Sequence, residues 1–475
     1  MANENKLQAI ISHCKEYGFV FPSSEIYDGL GAVYDYGQNG AELKKNIKDY
    51  WWKSMTQLHD HIVGIDAAIF MHPTTWKASG HVDNFSDPMI DNKDSKKRYR
   101  VDHLIEAYAE QLAPDASDAL LQSMEQLIAA DDFAGLKNLI ETNKIKCSVS
   151  GTCNWTDVRQ FNLMFGTQLG SVAEESSEIY LRPETAQGIF VNFLNVQKTG
   201  RMKIPFGIAQ IGKAFRNEIV ARGFIFRMRE FEQMEMQFFV RPGTQQEWYQ
   251  YWKEARMQWH LSLGISPDKY RFHDHVKLAH YADAACDIEY DFPMGFKELE
   301  GIHSRTDFDL KNHQQFSGKK LTYFDTELNQ HYIPYVVETS IGLDRTFLML
   351  LSEAYQEEDL STEEKQDARV VLKLPAMLAP YKLAILPLLK KDGLPEIAKE
   401  LMAECRGSFK CFYEEKDAIG KRYRRMDAIG TPFCVTIDHQ TKEDGTVTIR
   451  HRDSMLQERV ALKDIKQIVL NAVQY

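Results

Sequence analysis

The stretch from Phe215 to Phe239 constrains the fold of this chain more than any other. It reads Phe-Arg-Asn-Glu, a short glycine-containing loop, then Arg-Met-Arg-Glu-Phe-Glu-Gln-Met-Glu-Met-Gln-Phe-Phe. Side chains of a strand alternate between its two faces. Taken as a strand, the second half sets Arg227, Arg229, Phe231, Gln233 and Glu235 on one face. Met228, Met234, Met236 and Phe238 fall on the other, mixed with Glu230 and Glu232. In the first half Arg216 and Glu218 share a face opposite Phe215 and Ile219. With Val220 to Phe224 as the turn, a hairpin is expected that gathers arginines, carboxylates and an aromatic ring on one surface. Arginine offers phosphate oxygens a planar fork of donors, and an exposed ring stacks on a base. Such a surface suits a nucleoside triphosphate. A solvated polar face with charges paired across the strands would show the same spacing.

A second informative segment runs Val336-Val337-Glu338-Thr339-Ser340-Ile341-Gly342-Leu343-Asp344-Arg345. As a strand it places Glu338 and Ser340 on one face, and Gly342 is read as a tight switch into a helix beginning near Leu343. Arg345 then sits in the first helical turn, where the helix dipole disfavours a cation by about 0.3–1 kcal/mol. A bound polyanion offsets that cost, and so does a partner carboxylate such as Asp344.

At 475 residues, 44% of them hydrophobic and 26% charged, the chain is expected to form two or three globular domains. The net charge, 57 minus 68, is −11. That sum argues against a general nucleic-acid coat or a basic membrane-surface protein, while leaving room for a local basic patch. Met1 to Lys15 is polar and unlike a secretory or transit peptide, and no apolar run is long enough to span a bilayer. Seven cysteines lack the spacing of a zinc knuckle and read as free thiols of a reducing, cytoplasmic compartment.

Ala41 to Met55 has helical spacing, with Leu43, Ile47, Trp51 and Met55 on one stripe, after a turn-like Tyr34-Asp35-Tyr36-Gly37. Leu104 to Ile145 reads as a run of helices. From Phe161 to Leu351 strands and hairpins dominate, and Gln356 to Asp367 reads as an acidic linker or helical spacer. Strands are then expected at Lys382–Leu389, Lys410–Glu414, Phe433–Asp438 and Thr446–Arg450. Helices are expected at Pro395–Cys405, Ala418–Ile429 and Leu462–Val473, which makes a separate α/β domain. The expected divisions are 1–100, 101–160, 161–355, 356–375 and 376–475. Within the last, Lys421, Arg422, Tyr423, Arg424 and Arg425 form a basic cluster with one aromatic, which suits the phosphates and unstacked bases of a single-stranded RNA loop. A solvated helix face carries the same residues.

These segments together resemble the class II aminoacyl-tRNA synthetases. Phe215 to Phe239 looks like their motif 2, which begins Phe-Arg-x-Glu, and Glu338 to Arg345 looks like motif 3. The helix from Ala41 looks like motif 1, which builds a two-fold dimer interface in the family. Gln38 stands where that family usually has proline. The surrounding sequence is similar to the glycyl-tRNA synthetases of dimeric, single-chain type, from Phe19 to the C-terminus and least across the helical insertion. The resemblance implies an α/β (α+β) protein. Its catalytic domain would be an antiparallel sheet interrupted by a helical insertion, and its C-terminal mixed-sheet domain would bind the anticodon.

It also implies the chemistry: glycine, ATP and tRNA(Gly) as substrates, Mg²⁺ as cofactor, and a homodimer with no membrane partner. The glycine carboxylate, already ionised at neutral pH and needing no general base, would attack the α-phosphorus of ATP, breaking its bond to the bridging β-phosphate oxygen and releasing pyrophosphate to leave glycyl-adenylate. Arg216 and Arg345 would be catalytic, on the α-phosphate and the outer phosphates. Further ATP contacts carried over from the family are Asn217, Glu218, Phe226, Arg227, Met228, Arg229, Glu230 and Phe231. Glu298, Leu299, Gly342, Leu343 and Asp344 complete that set, with Glu298 the metal ligand. Carboxylates matching Glu184, Glu235 and Glu338 would surround the glycine ammonium, Ser340 would limit side-chain space, and Arg305 would hold the carboxylate. Arg100, Phe231, Glu232, Gln233, Met234, Thr339, Ile341 and Gly342 complete the implied glycine site. Anticodon contacts would come from Lys421 to Arg425. One rival reading is another specificity of the same class, such as proline, serine or threonine. The acidic pocket and the lack of a zinc-ligand trio of the threonine type count against it. Another is a catalytically silent relative of the same fold, which should have lost ATP-site residues, whereas Arg216, Glu218, Phe231, Glu298 and Arg345 all stand here.

Overall fold

The computed structural model describes residues 2–170, 177–218, 223–276, 278, 281–361 and 366–474. At its centre lies a seven-stranded sheet. The spatial order is Tyr270–Asp274, Ala284–Phe292, Gly295–Thr306, Tyr335–Gly342, Glu230–Val240, Phe206–Phe215 and Ile62–Gly64. Neighbours are antiparallel except for Ile62–Gly64, which runs parallel to Phe206–Phe215.

Alternation along Glu230–Val240 separates two environments. Met234, Met236 and Phe238 enter a core shared with Trp252 and Trp259 of the helix Gln245–Ser262. Leu43, Ile47, Trp51 and Met55 of the helix Gln38–Thr56 join the same core. Each such buried side chain contributes about 1.5–3 kcal/mol, so a one-residue slip that exchanged the faces would be strongly disfavoured. On the opposite face Phe239 packs with Phe190, Phe193, Phe206 and Val336. This second cluster fills one end of that face; a pocket occupies the other.

Several boundaries differ from expectation for identifiable reasons. Tyr34–Tyr36 is a short strand on Val20–Pro22, not a turn. Arg216 to Glu218 and Arg227 to Arg229 flank the hairpin strands without belonging to them. The Arg229 amide bonds outside the hairpin, to Ala32 O at 2.9 Å, and Phe224–Phe226 forms a 3₁₀ turn. Residues 219–222 of the expected turn lie outside the described residues. Gly342 has φ −75°, which any residue adopts, so its conformation does not call for glycine. A Cβ there would sit 3.5 Å from the Arg345 side chain, so the glycine leaves room beside that arginine.

The helical insertion consists of Val101–Ala109, Pro114–Ala129 and Phe133–Thr142 around its own core of Val101, Ile105, Leu136, Ile140 and Trp155. It stands on a three-stranded sheet of Ser86–Asp91, Arg98–Arg100 and Arg159–Asn162. The acidic segment is not an open linker. Tyr355–Asp359 pairs with Ala368–Leu372, and Glu358 takes ion pairs from Arg369 at 2.5 Å and Lys373 at 2.7 Å. Residues 362–365 of that segment lie outside the described residues.

A five-stranded sheet follows, ordered Cys411–Tyr413, Leu383–Pro387, Phe433–Ile437, Thr446–His451 and Gln457–Ala461. The first three strands are parallel and the last two antiparallel, over a separate core that includes Leu383, Ile385, Val435 and Ile449. Sequence reading missed the edge strand Gln457–Ala461, whose residues are mostly polar, and the short helix His439–Asp444.

Candidate active site

The pocket on the open face of the seven-stranded sheet is lined by both expected motifs and by Glu184, Tyr281, Glu298, Gly301, His303 and Arg305. At its inner end three carboxylates converge. Glu235 Oε1 accepts from Ser340 Oγ at 2.6 Å and Gln233 Nε2 at 3.1 Å, and Oε2 accepts from Thr185 Oγ1 at 2.5 Å. Glu338 accepts from His303 Nδ1 at 2.9 Å, Arg305 Nη1 at 3.0 Å and Gln237 Nε2 at 2.7 Å. Glu184 accepts from Gln187 Nε2 at 2.9 Å and lies 3.4 Å from His81 Nε2.

Their surroundings separate the three electrostatically. Burial works to raise the Glu184 and Glu338 carboxyls. His81, Arg305 and Gln187 outweigh it at Glu184, Arg305 and His303 outweigh it at Glu338, and both are held below the ordinary value. Glu235 makes no ion pair among the described residues, and Arg182 acts on it only through its charge. Burial and the neighbouring charges of Glu338 and Glu184 push its carboxyl up to about 7. Such an acidic, enclosed end suits an ammonium group.

The outer end is cationic. Arg216 Nε donates to Pro183 O at 3.1 Å, and its guanidinium lies 5.3 Å from the centre of the Phe231 ring. Arg345 packs over Phe226 at 4.3 Å and pairs with Glu298 at 3.1 Å. Its partner carboxylate is therefore Glu298, not Asp344. The Arg345 charge holds the Glu298 carboxyl below its ordinary value, ionised and half exposed at the pocket wall. Hard carboxylate oxygen of this kind fits a hydrated Mg²⁺ that also takes phosphate oxygens.

Other residues expected at the site also have partners in the frame around it. Asp344 accepts from Lys44 at 2.8 Å and from the Glu232 amide at 2.8 Å, and it also bonds Tyr36. Glu232 pairs with Lys44 at 2.7 Å and Lys48 at 3.1 Å. The two acids thus tie both motifs to the helix Gln38–Thr56. Arg229 donates to the carbonyls of Glu218 and Gly31, each at 3.0 Å. Glu230 pairs with Lys213, and Arg100 with Asp102 at 2.6 Å and Asp87 at 3.2 Å. Met234, Leu299, Thr339, Ile341 and Leu343 are buried in the sheet and helix interior. Asn217 lies beside the pocket, its amide bonded to Leu163 O at 2.8 Å. Glu218, Arg227, Met228, Glu232, Gln233, Gly342 and Asp344 line the pocket. Arg305 lines it too, with donors directed at Asp309 and Glu338.

Sequence reading missed Thr185, Gln187, His81, Tyr281, His303 and Asp309. The first two stand within three residues of Glu184, and His303 and Asp309 within four of Arg305 in a segment close to the family pattern, so their signals were proximity and, for the latter two, that resemblance. His81 carried none.

The C-terminal basic cluster is largely occupied by the fold. Arg422 is buried, donating to the carbonyls of Pro387 at 2.8 Å, Glu414 at 3.0 Å and Leu388 at 3.3 Å. Arg425 pairs with Glu414 and Asp417, Arg424 with Asp367, and the Tyr423 hydroxyl meets Thr436. Lys421 is exposed.

Comparison with known proteins accords with this architecture. Residues 168–354 match the tRNA synthetase class II core domain (G, H, P, S and T), and residues 382–472 match the anticodon binding domain. Residues 87–119 and 113–163 match the glycyl-tRNA synthetase insertion domain 1. The fold and pocket are thus those of a class II aminoacyl-tRNA synthetase. Similar full-length relatives are glycine–tRNA ligases. That of Chlorobaculum tepidum is 55% identical over 460 residues, covering 96% of this chain and 97% of the relative. That of Treponema denticola is 52% identical over 459 residues, covering 96% and 94%. That of Borreliella burgdorferi is 52% identical over 475 residues, covering 98% of each. The chain belongs to the glycine–tRNA ligase family.

Proposed function

We infer that the chain activates glycine with ATP and transfers it to the 3′ end of tRNA(Gly). The convergence of Glu184, Glu235 and Glu338 at the closed end of a pocket whose open end carries Arg216 and Arg345 supports this reading most directly. An ammonium held by the acids leaves the glycine carboxylate facing the arginines. Bound ATP would present its α-phosphorus there, so positioning and charge stabilisation carry the step. Arg216 receives developing charge on the α-phosphate, and Arg345 holds the outer phosphates. Glu298 would hold Mg²⁺, which neutralises phosphate charge when bound. Ser340 and Tyr281 wall the acidic end, leaving little space for a side chain on the substrate.

A homodimer completes this reading, by resemblance of Gln38–Thr56 to motif 1. The apolar stripe of that helix is packed in the chain's own core, so subunit contacts would use its flanking surface. Sedimentation of the purified chain tests it. A cytoplasmic setting accords with seven cysteines present as thiols. No helix among the described residues is long and apolar enough to cross a membrane.

Amino-acid-dependent exchange of pyrophosphate into ATP tests the central reading. Exchange with glycine, and hardly any with alanine or serine, is expected. Equal exchange with alanine would overturn the pocket assignment, and no exchange with any amino acid would favour a silent relative.

A further inference from the structure

The turn that leads into the helical insertion touches both halves of the pocket. Gly80, at φ 81°, starts the short helix His81–Asn84, and Phe85 follows it. The His81 ring is fixed on three sides. Its Nδ1 meets Ser79 Oγ at 2.8 Å, and Trp76 and Phe85 pack against it with centroids 5.6 and 5.3 Å away. The remaining nitrogen, Nε2, is the one that faces Glu184. Phe85 in turn places its ring 5.6 Å from the Arg216 guanidinium, which thus lies against both Phe85 and Phe231.

Backbone bonds make the arrangement continuous. The Phe85 carbonyl accepts from Leu163 N at 3.0 Å, and the Leu163 carbonyl accepts from Asn217 N at 2.8 Å. Leu163 directly follows the last strand of the insertion's sheet, Arg159–Asn162. The chain leaving for the insertion and the chain returning from it therefore brace the residues on which Arg216 stands. Arg216 Nε also reaches the carbonyl of Pro183, next to Glu184.

We propose that His81 and Phe85 are positioning residues for the two substrates of the first step, His81 acting through Glu184 on the amino acid and Phe85 through Arg216 on ATP. The proposal rests on the roles given above to Glu184 and Arg216. A buried carboxylate crowded by two others needs a fixed partner to keep its orientation. An arginine lying against two rings loses less freedom when a phosphate arrives, because its fork is already oriented.

Steady-state pyrophosphate exchange on the full chain separates the two roles. Phe85→Leu, which keeps apolar bulk and removes the ring, is expected to lower kcat or raise the KM for ATP by about tenfold, with the glycine KM unchanged. Phe85→Tyr, which keeps the ring, should restore both. His81→Gln is expected to raise the glycine KM by about tenfold and leave the ATP KM alone. Melting temperatures are measured beside each variant. Wild-type parameters in Phe85→Leu or in His81→Gln would overturn the proposal. A uniform loss in all parameters with a lowered melting temperature would overturn it too, as the mark of a structural role. Absence of glycine-dependent exchange in the unaltered chain is a different result, and sinks the functional reading beneath.

Discussion

Ser340 Oγ donates to Glu235 Oε1 across 2.6 Å, joining the two central strands of the sheet at the floor of the pocket. The two residues face one another in the strand register, so the pairing of the strands fixes the contact. With Thr185 on the second oxygen, the Glu235 carboxylate is held by hydroxyls and an amide, with no ion pair among the described residues. An arriving ammonium would pair with it directly.

Removing that hydroxyl should weaken glycine binding with little effect on ATP. Ser340→Ala is expected to raise the glycine KM by about tenfold, the worth of a hydrogen bond to a charged group. Glycine and ATP titrations of pyrophosphate exchange give the comparison, and an unchanged glycine KM would remove Ser340 from the site.

Binding of glycine should depend on pH through Glu235. Its carboxyl, pushed up to about 7 by burial and by Glu338 and Glu184, must ionise to hold the ammonium. Below pH 7 the affinity should therefore fall by up to about tenfold per pH unit, and binding should release protons. A folded-state value above the unfolded one means that the retained proton stabilises the empty protein. That stability is present below the unfolded value and lost as pH rises through about 7. The melting-temperature gain on adding glycine should accordingly grow from pH 6 to pH 8. Calorimetry in buffers of different ionisation enthalpy counts the protons, and Glu235→Gln should abolish the dependence.

Arg216→Ala should reduce pyrophosphate exchange by about a hundredfold or more, as expected for losing one charge aimed at the reacting phosphate. Its guanidinium is held by one carbonyl and two aromatic rings, so the fold should persist. Circular dichroism with exchange kinetics checks both halves of this expectation.

Two adjacent residues of the helix Ile419–Ala428 should behave oppositely. Arg422→Ala leaves the carbonyls of Pro387, Leu388 and Glu414 without their donor and should cost about 2–4 kcal/mol in urea unfolding. Lys421→Ala should change stability by less than about 0.5 kcal/mol. If Lys421 meets a phosphate, the same substitution should reduce the salt dependence of tRNA affinity by about one unit of slope.

Asp427 offers a sharper test of the C-terminal core. It is buried and takes two bonds from Arg450, at 2.8 and 2.9 Å, and one from Arg369 at 3.0 Å. Asp427→Ala would strand two buried guanidinium groups and is expected to destabilise by about 3–5 kcal/mol, read from the unfolding midpoint.

Alternation and periodicity along the chain were enough to find the central strand Glu230–Val240, the strand-to-helix switch at Gly342 and the apolar stripe of Gln38–Thr56. Burial of one face is a local property of sequence, so those elements were legible. The polar residues were not sorted in the same way. Arg229, Glu232, Asp344 and Arg422 have the charges of ligand-binding residues, yet the structure directs them to carbonyls and ion pairs within the chain. Charge in a sequence does not say whether its partner is a substrate or a neighbouring strand. His81 and Phe85 were silent for the complementary reason. Their contacts to Glu184 and Arg216 span more than a hundred residues of sequence, and only the closure of the insertion onto the sheet brings them together. The sequence by itself determined which residues form the sheet, its two faces and the family resemblance. Tertiary structure decided which charges remain free to meet a substrate, because that depends on which partners packing has already supplied.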